Sequence, residues 1–267
     1  MLQEKLFLEI KSFDSDRESE EKRIYSFDVS IFEVYSNHIV FKNCINNNFL
    51  AEMDDLNILK RNKKSKNLNL YLKSELHIKD KKISDELGLY YEFNYTDSDL
   101  IIYDFIDYED NESYQESLIE RVDIFMKNKE FLKFYLENKI PPKHWFNLNE
   151  FEKECWLDVA YKVNFNQEVN KRMPPVSQII LDGNYIHSER DLYCSIGEEV
   201  CGVFGYMGRS ITPLRDCLED EGLRPVYYPL QITWKNFKSS EQNFYSIEDL
   251  NYLVQFLRKY SNLKIEI

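Results

Sequence analysis

Glycine, cysteine, histidine and long apolar runs are all scarce in this 267-residue chain, and each scarcity closes off a class of protein. The seven glycines include no G-x-x-x-x-G-K, so the sequence holds no P-loop to cradle a nucleotide. The five cysteines, Cys44, Cys155, Cys194, Cys201 and Cys217, are odd in number, scattered and free of C-x-x-C spacing. That pattern argues against a disulfide framework and a zinc site, and it predicts a reducing compartment. The four histidines, His38, His77, His144 and His187, sit in no motif. The nearest cluster, His144 with Glu154 and Cys155, matches no standard ligand spacing. No stretch approaches the roughly 18 consecutive apolar residues of a membrane span, and Glu4, Lys5 and Glu9 interrupt the apolar run near the start. The expectation is a soluble cytoplasmic protein that is not an enzyme, with no catalytic residue, no metal, no cofactor and no membrane partner.

What the chain does have is acid. Against 34 Lys and Arg stand 47 Asp and Glu, a net charge of -13 that repels nucleic acid and favours a basic partner. The basic run Lys60-Arg61-Asn62-Lys63-Lys64-Ser65-Lys66 reads as a solvated loop. Paired prolines in Arg172-Met173-Pro174-Pro175 cannot continue a helix and mark a boundary, dividing the chain into residues 1–174 and 175–267.

Residues 1–174 are expected to form an α+β domain with antiparallel strands. Tyr25, Phe27, Val29 and Ile31 alternate with polar residues, as do Tyr91, Phe93 and Tyr95, and Leu6–Ile10 and Leu100–Phe105 are further strands. Asp97-Ser98-Asp99 reads as a turn between two of them. From about Tyr114 to Leu136 the period turns helical, with Leu118, Val122, Phe125, Met126, Leu132, Tyr135 and Leu136 on one face of a helix or two, ending before Pro141-Pro142. Asn149 with Glu152 predicts the capped start of another helix.

Residues 175–267 alternate strand and helix. Gln178–Leu181 is a short strand closed by the turn Asp182-Gly183, and Ser188 with Asp191 predicts a capping box for a helix that lasts until Gly202. A second helix is expected from Thr212, with Pro213 at its first position and Gly222 ending it. Then come a strand over Pro229–Trp234, a helix capped by Ser246 with the stripe Leu250, Leu253, Val254 and Leu257, and a strand over Leu263–Ile267. Strands separated by helical crossovers predict a small parallel three-stranded sheet.

The segment Gly205–Leu218, GYMGRSITPLRDCL, resembles the inhibitory segment of the barstar-like family of ribonuclease inhibitors and toxin immunity proteins. Asp182-Gly183, Ile186, Asp191-Leu192, Tyr206, Gly208, Leu214, Asp216, Cys217, Leu218, Pro229-Leu230, Trp234 and Phe237 resemble that family in order over about 90 positions. The resemblance implies a barstar-like α/β domain at residues 175–267 that blocks a protein toxin, a nuclease with a basic active-site cleft, by occluding the site. Leu214, Cys217 and Leu218 recur at i, i+3 and i+4 and should face the core, leaving Thr212, Asp216, Glu219 and Asp220 as an acidic outward face with Arg215 on its flank. The expected partner-binding residues are Tyr206, Gly208, Arg209, Thr212, Arg215, Asp216, Glu219 and Asp220. Gly208 is expected to need positive φ. Thr212, Arg215 and Lys259 stand where the family's inhibitor has an acid, a tryptophan and a glutamate, and Arg209 and Ser210 also differ, which implies a toxin other than that inhibitor's own ribonuclease.

Two other readings fit the same residues. The chain could be a protein–protein interaction module unrelated to toxins, or an immunity protein whose toxin-binding surface lies in residues 1–174, where the aromatic load suits an interface as well as a core.

Overall fold

The computed structural model describes residues 2–13, 21–28, 32–34, 38–41, 67–78, 81–89, 91–95, 100–104, 118–137, 140–165, 175–219 and 226–267. The chain divides into two compact units, Met1–Lys129 and Glu130–Ile267.

The first unit is built on antiparallel strands. β1 (Leu2–Phe13), β2 (Glu21–Asp28), β5 (Asn67–Ile78) and β6 (Lys81–Leu89) form one four-stranded sheet in the order β2-β1-β5-β6. β3 (Phe32–Val34), β4 (His38–Phe41), β7 (Tyr91–Tyr95) and β8 (Leu100–Asp104) form a second, in the order β3-β4-β8-β7. All pairings within the two sheets are antiparallel, as expected. β1, β2, β7 and β8 fall on the four strands read from the sequence, with Val29, Ile31 and Phe105 of those readings outside the described residues, whereas β3, β4, β5 and β6 were not expected. Leu72, Ser74 and Leu76 of β5 are buried, the period-two signature of a strand with one face inside. The Asp97–Asp99 turn, the Lys60–Lys66 run and Cys44 lie outside the described residues.

Helix α1 (Leu118–Glu137) is one helix rather than two and runs through the division between the units. Val122, Phe125, Phe131, Leu132 and Leu136 are buried along it, but Met126 is exposed and does not belong to the core face. A 3-10 turn over His144–Asn147 follows Pro141-Pro142 and buries Trp145. Helix α2 (Glu150–Phe165) starts at the expected cap. The Asn149 side chain accepts from the Glu152 amide at 2.9 Å, and the Glu152 carboxylate accepts from the Asn149 amide at 3.1 Å.

The remainder of the second unit has α/β architecture. β9 (Val176–Asp182), β10 (Val226–Lys235) and β11 (Asn262–Ile265) form the expected three-stranded sheet, all parallel, with β10 in the middle. Leu230, Ile232 and Trp234 of β10 are buried and alternate with Gln231, Thr233 and Lys235, so one face of the strand lies in the core. Between the strands run α3 (Glu189–Cys201), α4 (Ile211–Glu219), α5 (Phe237–Asn243) and α6 (Ile247–Tyr260). Leu192, Ile196, Leu214, Leu218, Leu250, Leu253 and Leu257 fill the core from the helices.

Three details differ from the expected pattern. The Leu214 amide already donates to the Ser210 carbonyl, so α4 begins at Ile211 and Pro213 sits within the first turn rather than at its first position. A proline there still loses no helical hydrogen bond, because the first-turn amides have no intrahelical acceptor. Helix α5 was unexpected; only Phe237 and Ser240 are buried on it, too few to leave a helical period. The Ser188–Asp191 capping box is half formed. Ser188 Oγ accepts from the Asp191 amide at 3.2 Å, but the Asp191 carboxylate accepts from the His187 amide at 3.0 Å instead of the Ser188 amide. Gly222 and residues 172–174 of the proline boundary lie outside the described residues.

Candidate partner-binding face

The segment singled out by sequence leaves α3 at Gly202, whose amide donates to the Glu198 carbonyl at 2.8 Å. It reverses over residues 202–205, so tightly that the backbones of Gly197 and Gly205 meet with no room for a Cβ on either. Phe204, at φ 58°, turns inward and is buried. Its ring stacks on Trp156 of α2 at 3.7 Å between centroids, with Phe131 and Tyr135 edge-on at 6.3 and 5.7 Å. The Phe204 carbonyl accepts from the Asn164 side chain at 2.6 Å. Tyr206 is also buried, edge-on to Tyr161 of α2 at 5.3 Å, and burial pushes its hydroxyl pKa up to about 12. Gly208 has φ +112°, as expected, and a Cβ there would collide with the Leu214 backbone.

Beyond Gly208 the chain turns outward. Arg209 is exposed and its guanidinium lies 3.6 Å from Asp158 of α2. On α4, Leu214, Cys217 and Leu218 are buried, which is the expected core face, while Thr212 and Glu219 are exposed. Arg215 and Asp216 are each about half exposed and pair with one another at 3.2 Å. The bond to Asp216, then its charge, raises the Arg215 pKa. Lys259 of α6 sits with its ammonium 4.8 Å from the Tyr260 ring centroid, and its pKa is raised first by Tyr260 and further by the charge of Glu219, with Arg215 opposing. Of the eight expected partner-binding residues, Tyr206 and Gly208 thus lie inside, Arg209, Thr212, Arg215, Asp216 and Glu219 reach the surface, and Asp220 lies outside the described residues.

Helix α2 carries the residues the sequence did not point to. Lys153 and Asp191 are both buried, 2.7 Å apart, and tie α2 to the start of α3. Burial alone would lower the Lys153 pKa, but hydrogen bonds and charge from Asp191 and Glu150 outweigh it and raise it. Arg190 adds bridges to Glu150 and Glu154 at 3.3 and 2.8 Å. The Glu198 carboxylate of α3 accepts from the Lys143 amide at 2.9 Å and from Trp145 Nε1 at 2.5 Å, fastening the 3-10 turn as well. Asn149-x-x-Glu152 predicted where α2 begins; no local signal told which residues it meets.

The His144, Glu154 and Cys155 cluster does not converge. Glu154 is drawn outward to Arg190, Cys155 is fully buried, and His144 faces the Trp156 ring at 6.0 Å. Cys194 and Cys217 are buried, and desolvation holds the Cys194 thiol well above its ordinary pKa, which suits a small core side chain rather than a nucleophile. Among the described residues no three or more His, Cys, Asp or Glu side chains gather to hold a metal ion, and no helix is long and apolar enough to cross a membrane. Set against known proteins, the chain matches no protein-family model and no curated protein.

Proposed function

We propose that the chain is a cytoplasmic immunity or inhibitor protein with a barstar-like domain at its carboxy-terminal end, and that it neutralises a partner toxin, a nuclease, by filling the toxin's active site. The observation that carries this reading is the order β9-α3-α4-β10-α5-α6-β11 on an all-parallel three-stranded sheet, with the inhibitor-like residues of Gly205–Leu218 forming the loop and helix between α3 and β10. A nuclease presents cations to phosphates in a wet, concave cleft, and a rigid helix offering Asp216 and Glu219 can take the place of the phosphates. The helix is well held for that purpose: its inner face is buried, and the loop leading into it is anchored through Phe204 and Tyr206. The chain's net charge of -13 favours encounter with a basic partner.

The test is co-expression with the protein encoded beside this gene. Protection of cells and a complex that survives purification are the expected results; unprotected cells and no complex would end the inhibitor reading. Within a complex, Asp216→Ala should raise the Kd and flatten its dependence on salt.

A further inference from the structure

We infer that the partner-binding face is of mixed charge and extends from α4 over residues 206–209 onto α2, so that the toxin must meet it with carboxylates as well as cations; this inference rests on the inhibitor reading above. Among the described residues, two acids of the face each have a cation beside them. Asp158 of α2 lies 3.6 Å from exposed Arg209, and Asp216 lies 3.2 Å from half-exposed Arg215. Helix α4 packs against α6, which brings Lys259 at the end of α6 towards the same surface, and the charge of Glu219 acts on both Arg215 and Lys259. The chain as a whole is strongly acidic, yet the described acids Asp158, Asp216 and Glu219 of this face are matched by the cations Arg209, Arg215 and Lys259. A cleft lined only by Lys, Arg and His would be repelled by Arg215 and Lys259 where it is drawn to Asp216. A cleft that sets a carboxylate opposite Arg215 gains a charge-assisted, two-pronged hydrogen bond instead.

Helix α2 adds the aromatic part. Tyr161 stands one turn from Asp158, edge-on to Tyr206, and keeps 48% of its surface exposed. A half-exposed tyrosine braced from behind by another ring supplies contact area at small entropy cost, which is why such residues anchor interfaces.

The experiment is calorimetric titration of the full-length chain and its variants with the protein encoded by the adjacent gene, with thermal unfolding of each variant run alongside. Arg215→Glu, Lys259→Glu and Tyr161→Ala are expected each to weaken binding about tenfold or more, a loss of the size that one desolvated charge pair or aromatic contact carries. If Asp216→Ala weakens the complex while Arg215→Glu and Lys259→Glu leave it unchanged or tighter, the partner is uniformly basic and the mixed-charge face is refuted, with the inhibitor reading intact. A complex that forms but ignores Tyr161→Ala removes α2 from the face and overturns the inference in that respect. No complex at all, or one that ignores every one of these variants, refutes the inhibitor reading of this face together with the inference.

Discussion

Helices α2 and α4 belong to the same compact unit and are packed to different depths. α4 is a surface helix: three of its nine residues are buried, and the others look outward. α2 is set deeper, with Lys153, Cys155, Trp156, Leu157, Val159, Ala160 and Val163 inside, while Glu150, Phe151, Glu154 and Tyr161 stay exposed. Its inner side is held by α1, α3 and the 203–206 loop through Phe131, Asp191, Phe204 and Tyr206, and its outer side carries the polar stripe Glu150, Glu154, Asp158 and Lys162. The helix whose residues prompted the inhibitor reading is thus the more shallowly seated one, while α2, which no binding motif singled out, is structural to the unit that displays it.

The most severe way to break that contrast is to delete one side of it. Residues 175–267 expressed alone leave Phe204, Asp191 and Glu198 without Trp156, Lys153 and Trp145, and should give no cooperative thermal transition, whereas residues 118–267 should give one. Near-ultraviolet circular dichroism of the two fragments decides; a well-folded shorter fragment would make α2 an accessory.

Trp156→Ala comes next. Removing a ring stacked on Phe204 at 3.7 Å in a fully buried site should cost about 3–5 kcal/mol, read from the urea midpoint. Asp191→Asn should cost less, roughly 1.5–3 kcal/mol, because it removes the charge-assisted bond to a buried ammonium that still keeps Glu150 at 3.0 Å. That pair also has a pH signature. The Lys153 pKa is raised above its ordinary 10.5, so its contribution is complete below that pH and fades as pH rises through the folded-state value. Stability measured upward from neutral pH should therefore show an alkaline limb in the native chain, and Asp191→Asn should diminish the part of it that belongs to Lys153, leaving what Glu150 supplies.

Gly208→Ala tests the loop that runs from α3 into α4. Positive φ and the collision with Leu214 together should cost roughly 1–3 kcal/mol, and thermal unfolding should shift accordingly. The smallest effect belongs to α4's own surface. Asp216→Ala should change stability by no more than about 0.5 kcal/mol while weakening any complex, and a large loss of stability there would mean that α4 is structural in the same sense as α2.

Local patterns carried much of this architecture. Ser188, Ser246 and Asn149 each marked a real helix start, and Gly202 a real end, since caps act within a few residues of the backbone they satisfy. Leu214, Cys217 and Leu218 disclosed the inner face of α4 by spacing alone. The strand β5 carries the same period-two signal in Leu68, Leu70, Leu72, Leu76 and Ile78, broken only at Ser74, which is buried in the same row. Other features had no local trace. That the Asp191 carboxylate would leave its capping partner for Lys153 depends on a residue 38 positions earlier, and the stack of Phe204 on Trp156 spans a still longer stretch of chain. Arg215 read as a flank to Asp216; that the two are ion-paired depends on their rotamers, which no spacing specifies.

The touching backbones of Gly197 and Gly205 set a practical limit on engineering this protein. With no clearance at that crossing, residues 206–212 have a fixed point of departure, so their conformation can be varied only from Tyr206 onward. A library meant to retarget the face can randomise Arg209, Ser210, Thr212, Arg215, Asp216 and Glu219 freely, but it must keep both glycines. A single methyl at either one would push apart the two passes of main chain on which every chosen side chain depends.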